Sequence, residues 1–173
     1  MDPISIASNI AKSLLPVQSL ISGFAYIMGI LFIFKALMTL KQHGESKGSM
    51  SSNSSMKEPL VYFIVGGLLI YFPTTFEVVM NSTFGYSSVL AYSQESTMAG
   101  WLGGDNQLGL AITTIIQTIG LYAFVRGWVL IVRATSTGQP PGGVGKGLTH
   151  VFGGVLAINI VGTIELVNNT LTG

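Results

Sequence analysis

The 173-residue chain is 49% hydrophobic and only 9% charged, with a net charge of +1 and no cysteine. Soluble chains carry about 25% charged residues because their surface meets water, so much of this surface is expected to meet lipid. Eight scattered Lys and Arg residues argue against nucleic acid as a sequence-specific partner, since phosphate neutralisation takes clustered basic side chains. The absence of cysteine excludes disulfides and thiolate chemistry.

Met1-Asp2-Pro3 puts no basic region ahead of the first apolar run, so no cleaved signal peptide is expected. Ile4, Ala7, Ile10, Ala11 and Leu14 recur at helical spacing opposite Ser8, Asn9 and Lys12. That pattern predicts a short N-terminal amphipathic helix over 4–15, ended or kinked by Pro16 and lying in the interface or against a neighbouring subunit. Residues 17–40, interrupted only by Lys35, predict the first span. A serine-rich aqueous loop follows over 41–58, with Lys41, Lys47 and Lys57. Pro59 opens a second span over about 60–80, which is kinked at Pro73 or finishes near Glu77. Residues 81–107 are polar, with Trp101 suited to a headgroup anchor. The third span, 108–132, carries Arg126 two turns before Arg133, and the glycine- and proline-rich stretch 134–147 predicts an irregular loop. A fourth span is expected over 148–167.

The second and fourth spans match at one fixed offset. Gly66, Leu68, Ile70, Thr75, Glu77, Asn81 and Gly85 recur as Gly154, Leu156, Ile158, Thr163, Glu165, Asn169 and Gly173. The first and third spans match at an offset ten residues larger, pairing Ile21, Ala25, Gly29, Ile33 and Lys35 with Ile119, Ala123, Gly127, Ile131 and Arg133. Two tandem helical hairpins, 1–85 and 86–173, form a parallel repeat. The expected fold is therefore an all-α membrane protein of four transmembrane helices, with Gly29, Gly66, Gly127 and Gly154 on helix-packing faces. Lys35, Lys41, Lys47, Lys57, Arg133 and Lys146 cluster at the hairpin loops, which the positive-inside rule places in the cytoplasm facing anionic phospholipid, with both termini outside.

Chemistry is sparse. Gly145-Lys146 before a helix invites comparison with a phosphate-binding loop, but Pro140 replaces the first glycine and Gly147 stands where Ser or Thr would hold magnesium. Neither His43 nor His150 has carboxylates or a second histidine at ligand spacing, and no serine sits in a nucleophile elbow. No catalytic, metal or cofactor residue is assigned, and bound phospholipid is the one small-molecule partner in view. Arg126 sits ~10 Å deeper than Arg133, where it either snorkels to the headgroups, lines a polar channel or clasps a lipid phosphate. Glu77 and Glu165 read as helix-end groups or, because they repeat, as assembly contacts. An autonomous transporter or ion channel would place polar groups beside broken helices near the midplane. Asn159 and the Pro73 break are the candidates, one in each repeat.

The tandem hairpins, the glycine-rich turns and the run Lys146-Gly147-Leu148-Thr149-His150 into Gly153-Gly154-Val155-Leu156-Ala157-Ile158-Asn159 resemble small inner-membrane subunits of Dot/Icm type IVB secretion systems. The resemblance is to the IcmC/DotE group, with DotV and TraQ-like conjugation proteins as relatives, and covers most of the chain from the first span onward. The hairpin unit is also similar to the pilins of other type IV secretion systems, although those have one hairpin where this chain has two. The resemblance implies a structural subunit of a bacterial inner-membrane channel for effector proteins or conjugative DNA, hetero-oligomeric with other secretion subunits. It implies no catalytic residues.

Overall fold

A computed structural model describes residues 3–46, 56–85, 106–136 and 142–172, and among them every regular element is helical. α1 is Pro3–Ser46, α2 Lys57–Ile70, α3 Phe72–Phe84, α4 Asn106–Thr135, α5 Gly143–Ile158 and α6 Ile160–Thr172. α1 and α4 are each long and apolar enough to cross a membrane, and the bent pairs α2/α3 and α5/α6 bring the candidate spans to four if each pair is one crossing. The described residues are thus all-helical in their regular structure, with two to four candidate spans, compatible with a multi-pass membrane protein.

The helix does not end at Pro16. α1 runs through it for 44 residues, ~66 Å, so the amphipathic segment and the first span are one helix that also enters the expected loop as far as Ser46. Ending a helix orphans four donors and four acceptors, whereas running through a proline orphans one carbonyl, and in an apolar setting the second is the smaller loss. The loop expected over 134–147 is also partly helical. Gly142 takes a left-handed φ of 101°, and α5 begins at Gly143. Gly147 lies inside that helix, where a Cβ would stand 2.5 Å from Ile131 Cγ1 and 2.9 Å from the Gly127 carbonyl oxygen, so the close approach requires glycine. Trp101, the expected headgroup anchor, lies outside the described residues.

α1 packs antiparallel to α2, and α4 antiparallel to α5. The two hairpins meet through α1 and α4, which run parallel: Gln18 Nε2 donates to Thr118 Oγ1 at 2.9 Å, and farther along Met28 and Val129 line one cleft. α4 is central, touching α5 on one side and α1 and α2 on the other. Where α2 and α3 reach it, Phe124 is fully buried, with ring centroids of Phe72 at 5.9 Å, Phe76 at 6.3 Å and Trp128 at 6.1 Å. Leu20, Phe24, Phe34, Phe63 and Phe152 are exposed around the outside. A packed aromatic centre inside an apolar surface suits hydrocarbon as the surrounding solvent.

α2 and α3 meet at 89°, and α5 and α6 at 93°. The first bend falls beside the expected Pro73 kink. The second, at Asn159, replaces the straight span expected over 148–167.

Candidate functional site

Three arrangements carry the candidate residues: two glycine seams, two helix bends and a basic cleft. In the first seam, a Cβ on Gly29 would lie 2.8 Å from the Gly66 carbonyl oxygen and from the Ile70 amide nitrogen, and one on Gly66 would lie 2.7 Å from Ile33 Cγ1. In the second, a Cβ on Gly120 would lie 2.9 Å from the Gly154 carbonyl oxygen and 2.7 Å from the Ile158 amide nitrogen. One on Gly154 would lie 2.6 Å from the Phe124 amide nitrogen. The helices approach backbone to backbone, which only glycine permits.

The packing equivalent of Gly29 is therefore Gly120, two helical turns before the Gly127 that the sequence match selects. Gly127 instead meets Gly147 and Val151, a contact that extends the second seam.

Each bend leaves carbonyls at the end of the first helix without their i+4 amides. Thr75 Oγ1 donates to the Leu68 carbonyl at 3.0 Å, and Thr163 Oγ1 to the Leu156 carbonyl at 2.8 Å, both seven residues back across the bend. The backbone bonds correspond too, Tyr71 N–H to Gly67 and Asn159 N–H to Val155. The helices beyond the bends start differently. The buried Asn159 side chain accepts from the Gly162 N–H at 3.2 Å, capping α6, whereas Pro73 stands in the first turn of α3 and has no N–H to cap.

At the end of the bundle where α1 and α4 finish, Lys35 Nζ stands 4.8 Å from the Tyr62 ring centroid, and Tyr62 Oη is 3.0 Å from Ser136 Oγ. Lys35 and Arg133 line one cleft there, and Arg133 and Arg126 line the adjoining one. Arg126 Nη1 donates to Tyr122 Oη at 3.1 Å, so its guanidinium is turned back along α4, away from Arg133. Lys41 pairs with Glu45 at 3.8 Å on exposed surface, and Lys146 is exposed in the first turns of α5. Glu77 on α3 and Glu165 on α6 both lie beyond the bends; Glu77 is exposed and Glu165 partly so. Among the described residues no His, Asp and Glu cluster could hold a metal.

Tyr62 and Ser136 escaped the sequence reading because their contact joins distant segments, whereas Tyr122 and Trp128, each one turn from its partner Arg126 or Phe124 on α4, were open to it and were missed. Trp128 Nε1 is buried with no hydrogen-bond acceptor among the described residues. Thr75 and Thr163 were visible as a repeated pair, but their function was not. No known protein family, curated protein or solved structure matches this chain.

Proposed function

We propose that the chain is a structural subunit of a multi-subunit bacterial inner-membrane translocation channel, of the type IVB secretion class that its sequence resembles. Its four crossings are two pilin-like hairpins, with the basic hairpin loops cytoplasmic and both termini periplasmic. One observation carries the reading: the interior around Phe72, Phe76, Phe124 and Trp128 is packed and apolar, while large apolar side chains are exposed around the outside. Among the described residues such an interior offers no polar lumen, so a conduit forms between this chain and its neighbours. Glycine seams that hold each hairpin rigid suit a scaffold of that kind.

A second reading, an autonomous transporter or ion channel, draws on the paired bends, since broken helices with polar groups at the break are what transporters use to hold substrate. The side chains at these breaks weigh against it: Asn159 and Thr163 are engaged with backbone at the bend. Purification of the tagged chain from native membranes in mild detergent tests the proposal. Co-elution of other secretion subunits in one large complex is expected. A small oligomer of this chain alone that conducts ions would refute the proposal and favour the second reading.

A further inference from the structure

We infer that the cleft between α1 and α4 binds an anionic phospholipid, one acyl chain lying along Leu20, Phe24 and Met28 and the headgroup phosphate held by Arg133, with the Arg126 side chain turning from Tyr122 to join it. The cleft measures about 500 Å³ and is apolar along its length, and its charged lining groups are the two arginines. That volume lies within the ~300–1,000 Å³ of small-molecule sites. None of its described lining residues is acidic, so the two positive charges have no compensation within it. The Tyr122 hydroxyl orients Arg126 at 3.1 Å without neutralising it. A guanidinium in an apolar cleft is costly until an anion joins it. Arg133 also lines the adjoining cleft opposite Lys35, which offers the headgroup a third cation.

Depth selects a lipid over a peptide or a partner helix. Arg126 and Arg133 are seven residues apart, two turns on one face, and α4 is 30 residues long. Centred on a hydrocarbon core of ~30 Å, a helix of ~45 Å puts Arg133 just outside the boundary and Arg126 ~6 Å inside it. Phosphates sit just outside the boundary, at the depth of Arg133 and within reach of a long Arg126 side chain that snorkels toward them, and the exposed Leu20 and Phe24 open the cleft sideways toward hydrocarbon. Charge at one end and an apolar trough at the other match an anionic amphiphile.

The inference needs only residence in a membrane and not the secretion-channel reading, so lipid binding and complex formation can fail separately. The full chain, purified in mild detergent and stripped of lipid, is titrated with phosphatidylglycerol and with phosphatidylcholine of identical acyl composition, and bound lipid is counted by native mass spectrometry. One phosphatidylglycerol bound at least tenfold more tightly is expected. Arg126→Gln weakens it roughly tenfold, the effect of one lost charge-assisted hydrogen bond. Met28→Trp, which fills the trough and leaves the charges, weakens it as well, whereas Lys12→Gln near the other end of α1 leaves it unchanged. Equal affinity for the two lipids overturns the inference. Inorganic phosphate that competes as well as phosphatidylglycerol, with Met28→Trp silent, also overturns it by making this a phosphate site. Should Arg126→Gln fail to fold, the wild-type lipid preference and Met28→Trp decide.

Discussion

The two halves of the molecule reach the same shape by different chemistry. Each is a long helix, a glycine-seamed partner and a bend near 90° stitched by a threonine hydroxyl seven residues back. In the first half a proline makes the bend tolerable by removing a donor that would need a cap; in the second an asparagine supplies the cap. The seams differ in extent, Gly29 with Gly66 in the first, and Gly120 with Gly154 followed by Gly127 with Gly147 in the second. The shared requirement is satisfied backbone at a bend away from water, and the side chain that satisfies it is free to vary.

The sharpest way to break this correspondence is Gly154→Leu. Its side chain would collide with backbone of Phe124 and Gly120, which cannot rotate away, and ~3 kcal/mol or more of stability should be lost. Gly153→Leu, one residue away and meeting nothing within 4 Å, should stay within ~0.5 kcal/mol; unfolding in bicelles compares the two. Asn159→Ala should cost about 1–2 kcal/mol through the lost cap and exceed the effect of Pro73→Ala in the first half, where no capping side chain is removed. Equal effects would mean that the asparagine does not cap. Thr75→Val, nearly isosteric, should cost about 1 kcal/mol by leaving the part-buried Leu68 carbonyl unpaired, and Thr163→Val should cost less, because the bond to the Leu156 carbonyl is exposed. The smallest effect belongs to the contact between halves: a double-mutant cycle on Gln18→Ala and Thr118→Val should return a coupling near ~0.6 kcal/mol.

Hydropathy made α1 and α4 legible, because long apolar runs admit little else. The glycines were legible as packing residues but not in register: Gly120 and Gly127 are two turns apart and present the same face, so a sequence match cannot choose between them. Pro16 misled because the rule for helix breaking assumes water ready to take the freed groups. The bend at Asn159 was hidden for lack of a proline, although Thr163 sitting at the offset of Thr75 marked it. Of the basic cleft, Arg126 and Arg133 could be read from their spacing. Tyr122, one turn before Arg126, could have been; Leu20, Tyr62 and Ser136 could not, since helical periodicity in one segment says nothing of which distant segment packs beside it.

Reconstitution tests most directly the claim that one copy encloses no conduit. The purified chain is placed in liposomes at about one copy per vesicle, and the efflux of potassium and of a small fluorescent solute is followed. Efflux no faster than from empty vesicles, and unaltered by Asn159→Asp, is the predicted result. Rapid efflux from single-copy vesicles that Asn159→Asp changes would show a pathway through the chain itself and contradict the account.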